Sequence, residues 1–333
     1  MPHIEISNGK IRIPWDWESP WVSLSVLFLA VGTLLLIPLR IIGQGYEPMD
    51  DAMRHTAKAV TDKSWDEILV MAPGRFVDAQ IGWHRLLSWV HDLTGIGTDA
   101  LLALSVVALF WLVVFLPLFF AKRVDAWMLT LLTLVFTSYA FVGRMVMGRP
   151  FLVHCAVVLA ILLSHDYFRR ERTPWGGIAL LALGIAFSVW VRTTWFLYLL
   201  PFAAVVCARD LRAIRRIGLA LLIGIALGLL ATGAPWDYFI DSWTSAIGCL
   251  SRGQGTAMLV SELQPGIGFR AILLVLAACW IFDVARGRWD WRRLDTPAFY
   301  LLAASYVLSL KTTRFWDDFA IWGALVLLLR TYE

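Results

Sequence analysis

The sequence predicts an all-α protein, a polytopic transmembrane bundle of about ten helices. Hydrophobic residues make up 59% of the 333 residues and charged residues only 16%, whereas an ordinary soluble domain carries roughly 25% charged residues. The mean hydropathy is +0.69. Long runs of Leu, Ala, Val and Phe favour helices, which satisfy their own backbone groups inside a bilayer. The 18 Trp and 19 Phe residues fit aromatic belts at two lipid interfaces.

Apolar runs supply the predicted spans. They are residues 22–42, 99–121, 124–143, 151–168, 176–190, 194–208, 217–232, 267–284, 297–310 and 319–329. The first run follows a polar and aromatic segment and lacks a small-residue cleavage site, so we expect it to be a signal anchor. No internal repeat divides the chain, and residues 1–333 are predicted to form a single transmembrane domain.

Basic segments between these runs predict the orientation. They contain Lys10 and Arg12; Lys122 and Arg123; Arg169, Arg170 and Arg172; Arg209, Arg212, Arg215 and Arg216; Arg286, Arg288, Arg292 and Arg293; and Arg330. Cytoplasmic loops carry an excess of Lys and Arg, so both termini are expected in the cytoplasm, with the chain in a bacterial inner (cytoplasmic) membrane. Segments 43–98 and 233–266 are then large loops on the periplasmic or exterior side. The net charge of +4 is assigned to the loop arginines and not to a nucleic-acid-binding surface.

The first of these loops carries a tight acidic pair. Its sequence is Pro48-Met49-Asp50-Asp51-Ala52-Met53-Arg54-His55, and an amphipathic juxtamembrane helix is predicted over 52–60. Residues 83–90 close the loop in a pattern typical of a helix lying at a membrane interface. Two adjacent carboxylates at this position, in a chain built to stay in lipid, indicate a place for chemistry.

The remaining outer loops all place cations near the membrane edge. These residues are Arg144, Arg149, Arg192, Lys311 and Arg314. Cations at outer helix ends oppose the positive-inside bias and add a desolvation cost. Snorkelling to lipid headgroups is one explanation for each residue. A shared anionic ligand accounts better for the group, because the arginine fork binds phosphate through two hydrogen bonds.

Other acidic residues have less distinctive surroundings. Asp237 and Asp241 would share one helix face and are candidates for a second acidic element near an acceptor. Asp317 and Asp318 are expected to neutralise Arg314.

The histidines leave a metal open as an alternative. His55 beside the acidic pair could bind a divalent cation, although a purely polar loop is favoured because no second acidic pair completes a metal site. No other cofactor is indicated. His84 and His91 are interpreted as interfacial, and His154 as packed within the bundle.

The acidic pair and the cations together suit a reaction on a lipid-linked sugar phosphate. A carboxylate would deprotonate an acceptor hydroxyl for in-line attack at the anomeric carbon. Cations would hold the phosphate and stabilise the charge that develops on it as it leaves. No nucleotide-binding glycine loop is present, and a lipid phosphate donor needs none.

Residues 50–60, Asp-Asp-Ala-Met-Arg-His-Thr-Ala-Lys-Ala-Val, resemble the first-loop motif of GT-C integral membrane glycosyltransferases. This superfamily includes aminoarabinose, protein O-mannosyl and arabinofuranosyl transferases. The segments Gly148-Arg149-Pro150 and Lys311-Thr312-Thr313-Arg314-Phe315 also resemble stretches of bacterial members. The resemblance implies a polyprenyl-phosphate sugar donor, a lipid, glycan or protein acceptor in the cell envelope, and a catalytic carboxylate in this loop.

Carried over residue by residue, the resemblance places the catalytic base at Asp51, or at Asp50 beside it. Arg54 and His55 are then acceptor-side or accessory residues. The chain departs from the aminoarabinose branch at Ala52, where a second acid would follow.

Two other classes of protein remain as alternatives. A transporter or flippase of lipid-linked intermediates would also need outer arginines, but transporters show inverted repeats and polar residues near the middle of the membrane. The predicted spans are nearly free of charge there. A non-catalytic subunit of a polysaccharide or pilus assembly would not require the acidic pair, so Asp50→Asn and Asp51→Asn discriminate it from an enzyme.

Overall fold

The computed structural model describes residues 5–7, 10–12, 20–43, 51–61, 63, 67, 78–251, 265 and 270–333. Within these ranges the protein is helical, as predicted, apart from a short antiparallel hairpin in which Glu5–Ser7 (β1) pairs with Lys10–Arg12 (β2). Asp50, one half of the predicted acidic pair, lies outside the described residues.

The first half of the chain contributes seven described helices. Their bounds are Pro20–Gly43 (α1), Asp51–Thr61 (α2), Ile81–Thr94 (α3), Thr98–Phe115 (α4), Val124–Thr137 (α5), Tyr139–Val146 (α6) and Phe151–Leu163 (α7). A 3₁₀ turn over Leu116–Phe119 follows α4. Helix α2 confirms the helix that was predicted directly after the acidic pair.

The second half contributes eight described helices. They are His165–Arg169 (α8), Trp175–Val191 (α9), Leu199–Cys207 (α10), Leu211–Ala231 (α11), Pro235–Ser251 (α12), Ala271–Ala285 (α13), Pro297–Ser309 (α14) and Ile321–Tyr332 (α15). A 3₁₀ turn over Trp195–Tyr198 leads into α10, another over Trp291–Leu294 precedes α14, and a π-helical turn over Trp316–Ala320 leads into α15.

Capping residues explain where the predicted spans begin and break. The prediction of one helix over 124–143 is wrong, because Ser138 ends α5 and its hydroxyl accepts a hydrogen bond from the backbone N–H of Phe141 in α6. Asp210 caps α11 by accepting from the backbone N–H groups of Arg212 and Ala213, each at 3.0 Å, so α11 begins before residue 217. Helix α13 begins at Ala271, later than the predicted span.

Helix lengths bear on the predicted number of spans. Among the described residues, Thr98–Phe119 and Leu211–Ala231 are long and apolar enough to cross a membrane. Seven further apolar helical segments, among them Pro20–Leu36 within α1, have 10–17 residues, fewer than the roughly 20 that a bilayer core requires. The helical class is therefore confirmed, whereas the count of about ten spans is not.

The most extensive helix pair is formed by α9 and α11. A Cβ atom added at Gly224 would lie 2.6 Å from the Ala182 carbonyl oxygen, and one added at Gly228 would lie 2.6 Å from that of Ala186. Glycines four residues apart let two helix backbones approach closely, as they do in the interfaces of membrane helices. Substitution of either glycine would push the two helices apart.

Helix α7 forms the centre of the bundle. All of its residues except Ala160 are buried, and it contacts α4, α9 and α15. A helix that is apolar and buried on all sides belongs in a core and not at a surface. The turn before Phe151, at the start of α7, carries Arg149, and the charged site forms around this end of the helix.

Ion pairs fall mainly into two groups. One group involves Asp51, Arg54, Arg144, Arg149, Arg314, Asp317 and Asp318. The other pairs Arg123 with Asp125, Asp166 with Arg330, Arg169 with Asp210, and Asp283 with Arg293. The second group collects arginines from the segments that were predicted to be cytoplasmic, and the first collects most of the cations that were predicted on the other side.

Candidate functional site

Asp51 begins α2 and binds two arginines. Its Oδ1 accepts a hydrogen bond from Arg54 Nη2 at 2.5 Å, one helical turn later. Its Oδ2 accepts one from Nε of Arg149, which lies at the start of α7. The side chains of Asp51 and Arg149 are each 24% exposed, so the pair stays accessible to a ligand. Such hydrogen bonds between charged groups fix the orientation of the Asp51 carboxylate relative to the two guanidinium groups.

Gly148 makes the contact between Asp51 and Arg149 sterically feasible. Its φ angle of +61° lies in the left-handed region that favours glycine. A Cβ atom at this position would lie 2.8 Å from Cβ of Ala52 and 2.8 Å from Cγ2 of Val106. The turn before α7 therefore packs directly on α2. Ala52, which is 1% exposed, fills the place where a larger acidic side chain would not fit.

We expect Gly148→Ala to destabilise the protein by about 2–4 kcal/mol, because it combines a left-handed backbone penalty with overpacking against α2. The matched control is Gly143→Ala in α6, where an added Cβ meets nothing within 4 Å. That control should be neutral or stabilising, since alanine favours a helix. Thermal unfolding of both variants checks the prediction, and an unchanged melting temperature in Gly148→Ala would contradict it.

Asp318 joins two further arginines. It accepts hydrogen bonds from Arg144 Nη1 at 2.5 Å and from Arg314 Nε at 2.9 Å, and its side chain is only 2% exposed. Asp317 makes a longer contact of 3.4 Å with Arg144 Nη2. Both acids lie in the π-helical turn, a local widening that is frequent at functional sites. Asp318 thus pairs with Arg314, as expected, and also with Arg144.

Arg192 lies at the end of α9 beside these pairs. Its guanidinium carbon is 5.2 Å from the ring centroid of Phe151, in a cation–π contact. Its Nε is buried and has no hydrogen-bond partner among the described residues. The charged groups that act on it include Arg314, Asp318 and Arg149. An unsatisfied buried donor is costly, so this position favours an added acceptor.

Arg270 is a cation that the sequence analysis missed, because it was placed inside the span predicted over 267–284. It precedes α13, and its guanidinium carbon lies 4.9 Å from the ring centroid of Trp316. Its Nε is also buried without a partner in the described ranges, and its charge acts on Asp317. Its position as a charge near the edge of an apolar run is the sequence signal that could have identified Arg270.

We name these residues the Arg–Asp cluster. It consists of Asp51, Arg54, Arg144, Arg149, Arg192, Arg270, Arg314, Asp317 and Asp318. Arginines outnumber aspartates in it, so the described cluster has an excess of positive charge. Arg144, Arg149 and Asp317 line a cleft of about 10 Å³, which is near the lower limit for one water molecule. A larger anion would have to displace carboxylates from arginines.

Two histidines form a second polar element behind Asp51. His55 Nδ1 lies 2.8 Å from His84 Nε2, and His84 Nδ1 lies 2.6 Å from Asp78 Oδ2. The histidines are 8% and 5% exposed, so the interfacial assignment of His84 is wrong. The pKa of His55 is lowered to about 3, chiefly because burial disfavours a charged imidazole and to a smaller extent because of the neighbouring His84.

His91 and His154 have local roles. His91 donates from Nδ1 to the carbonyl of Ile96 at 2.7 Å. His154 packs within the bundle, as expected, with its ring centroid 4.2 Å from that of Tyr198. No group of three or more His, Cys, Asp or Glu side chains in the described part of the chain is arranged to hold a metal ion. His55, the candidate ligand, is engaged with His84 instead.

Several predicted site residues lie apart from the cluster. Lys311 has an exposed side chain and makes no ion pair with the described residues. Asp237 is exposed and Asp241 half-buried on α12, one helical turn apart as predicted. The charge of Asp78, which contacts His84, acts on Tyr238 of α12. Helix α12 therefore lies nearer to the histidine pair than to the Arg–Asp cluster.

No protein-family model, curated protein or solved structure matches this chain. The Arg–Asp cluster can bind an anion through buried guanidinium groups, and it holds one accessible carboxylate, Asp51, directly beside them. If the bound anion is a phosphate ester, a carboxylate beside it can remove the proton from a hydroxyl group. The oxygen of that hydroxyl then attacks the carbon atom of the ester.

Proposed function

We propose that this chain is a multi-pass membrane glycosyltransferase of the GT-C type. It moves a sugar from a polyprenyl-phosphate donor to a hydroxyl of a lipid, glycan or protein acceptor on the periplasmic or exterior face of a bacterial inner membrane. The observation that carries the proposal is the direct contact of Asp51 with Arg149 inside a cluster whose arginines outnumber its acids. The motif of residues 50–60 adds the resemblance to the superfamily.

Excess cationic charge supports an anionic donor. Arg192 and Arg270 each keep a buried Nε without a partner among the described residues, although their neighbours are paired. Arginine suits a phosphate because its planar fork donates two parallel hydrogen bonds. A phosphodiester that joined the cluster would satisfy these donors and balance the surplus charge.

Asp51 supports the transfer step. It takes the proton of the acceptor hydroxyl while that oxygen attacks the anomeric carbon. The bond from the anomeric carbon to the phosphate oxygen breaks, and its electron pair leaves with the phosphate. Arg149, Arg192 and Arg314 stabilise the negative charge that develops on the leaving oxygen. Without donor, Arg149 is hydrogen-bonded to the Asp51 carboxylate. When the donor binds, its phosphate replaces this carboxylate as the anion that contacts Arg149.

The charge distribution supports the membrane orientation. The second group of ion pairs contains four arginines from the segments that were predicted to be cytoplasmic, namely Arg123, Arg169, Arg293 and Arg330. The positive-inside rule expects such basic residues on the cytoplasmic side of the membrane. The helices that are too short to cross alone are continued by further turns, as α5 is by α6 beyond Ser138. Broken helices occur at membrane depth where the break is buried in protein or lines a cavity.

Binding of a lipid phosphate tests the proposal. Protein in lipid nanodiscs should bind a polyprenyl monophosphate and not the matching polyprenol, because the cluster recognises the phosphate. Arg192→Gln should weaken binding of the phosphate by about 10- to 100-fold, the loss expected for a charged hydrogen bond. Titration followed by intrinsic tryptophan fluorescence or by thermal shift measures both.

The matched control is Arg288→Gln, which removes an exposed arginine outside the cluster. It should leave binding unchanged. Equal affinity for polyprenol and polyprenyl phosphate, or equal weakening in both variants, would contradict a phosphate site in the cluster. Movement of an intact lipid phosphate across the bilayer without sugar transfer would favour the flippase alternative.

A further inference from the structure

The pair His55 and His84 forms a continuous hydrogen-bonded chain with Asp78. The chain crosses from α2 to α3, with distances of 2.8 Å between His55 and His84 and 2.6 Å between His84 and Asp78. It ends one helical turn after Asp51 on α2, where residues four apart share a face. The charge of Asp51 acts on His55. The chain therefore lies directly behind the carboxylate that contacts Arg149.

Backbone and side-chain contacts hold this chain in place. Asp78 Oδ1 accepts from the backbone N–H of Gln80 at 3.0 Å, so the carboxylate is fixed at the start of α3. Ser88 donates to the carbonyl of Ala59 at 2.8 Å and ties α3 to α2. The backbone N–H of Thr193 donates to the Ala79 carbonyl at 2.9 Å and ties α3 to the loop that carries Arg192.

The contacts determine the direction of the protons in the resting chain. His84 Nδ1 faces a carboxylate, which only accepts, so Nδ1 of His84 carries a proton. In a neutral His84 the Nε2 atom is then an acceptor, and His55 donates to it from Nδ1. His55 Nε2 is left with a lone pair. All protons in the chain point towards Asp78, and Nε2 of His55 is the end that can receive another proton.

We propose that Asp78, His84 and His55 form a proton relay that takes the acceptor's proton from Asp51 during sugar transfer. The inference rests on the proposed function and adds positioning and proton-carrying residues to it. After Asp51 is protonated, its proton passes to His55 Nε2, and the proton on His55 Nδ1 passes to His84 Nε2. His84 becomes an imidazolium paired with the Asp78 carboxylate. After the product leaves, the reverse transfers return the proton through His55 to Asp51, and Asp51 releases it to water that enters the emptied site.

The electrostatics assign a different part to each histidine. The groups that face His55 are His84, Asp51, Arg192 and Asp78. Burial, His84 and Arg192 disfavour a positive charge on His55, so it conducts the proton without keeping it. His84 instead has the Asp78 carboxylate 2.6 Å from its Nδ1, so a proton that reaches His84 lies beside a negative charge. The positive charge is thereby moved away from Asp51, which returns to its ionised form beside Arg149.

Kinetics of three variants test the relay. Asp78→Asn keeps an oxygen that accepts a hydrogen bond from His84 but removes the negative charge. His55→Gln removes the imidazole that passes the proton from Asp51 to His84. Both should lower kcat for sugar transfer by about 10- to 100-fold and leave the KM for donor within about twofold, since general acid–base groups contribute at least that much. Added imidazole should restore part of the activity of a third variant, His55→Ala. The matched control is His91→Gln on α3, the helix that carries His84, and it should keep full activity.

Each outcome separates the relay from the proposed function. Full kcat in both Asp78→Asn and His55→Gln, with loss of transfer in Asp51→Asn, would overturn the relay and leave the glycosyltransferase proposal standing. Parallel losses of kcat and melting temperature, with no imidazole rescue in His55→Ala, would make the chain a purely structural hydrogen-bond network and would also overturn the relay. Absence of sugar transfer by the unaltered protein would overturn both proposals.

Discussion

Asp51→Asn should lower the turnover of sugar transfer by about 10²- to 10⁴-fold, the range expected for loss of a general base. Binding of the polyprenyl-phosphate donor should be retained or become tighter. The reason is that Arg149, which now donates to the Asp51 carboxylate, would face a neutral amide there and would compete less strongly for that group against the phosphate. Steady-state kinetics and donor titration on the same preparations measure the two effects separately.

A matched control exists in the same segment of the chain. Asp92 is an exposed carboxylate near the end of α3, and Asp92→Asn should change neither turnover nor donor affinity. Arg149→Ala should show the opposite pattern to Asp51→Asn, with donor affinity falling first. Full turnover in Asp51→Asn would remove the catalytic assignment, and a parallel loss of donor binding would show that Asp51 serves the cluster only as a structural anion.

Asp318→Asn should strongly destabilise the protein. The substitution keeps the size of the side chain but leaves Arg144 and Arg314 without their shared carboxylate, which is 2% exposed. Removing one partner of a buried ion pair costs about 3–5 kcal/mol, and the partial exposure of Arg314 places the expected loss near the lower end. The apparent melting temperature in detergent or nanodiscs should fall by several degrees.

Two further variants isolate the cause of that loss. Asp317→Asn should cost less, because Asp317 contacts Arg144 only at 3.4 Å. Arg314→Gln added to Asp318→Asn should recover part of the melting temperature, since it removes one of the two cations that have lost the Asp318 carboxylate. A double variant that is less stable than Asp318→Asn would contradict a charge-based explanation.

The sequence predicted the helical class and the helix that begins at Asp51, because both depend on local patterns of apolar and polar residues. It also predicted that Arg144, Arg149, Arg192, Lys311 and Arg314 would converge. The structure brings the four arginines together around Asp318 and Asp51 but leaves Lys311 outside. The sequence did not predict that Asp51 and Arg149 bind each other. That contact depends on the left-handed turn at Gly148, which packs on a helix distant in the sequence.

Other parts of the site could not be predicted because they depend on packing between distant helices. His84 shares a helix with Trp83 and Trp89, which favoured an interfacial interpretation, and its contact with His55 appears only when α3 packs on α2. Lys311 has the same charge as Arg314 and lies in the same turn region. Its backbone N–H bonds to Leu308 and continues the end of α14, while its side chain is exposed and Arg314 reaches Asp318.

A density map of the protein with a bound polyprenyl phosphate would show whether the phosphate occupies the Arg–Asp cluster. We expect phosphate density within about 3 Å of the Arg149 and Arg192 guanidinium groups, which is hydrogen-bonding distance. We also expect the bond between Arg149 and Asp51 to open. Phosphate density beside Arg169, Arg216 or Arg293, with the contact between Asp51 and Arg149 unchanged, would contradict the account.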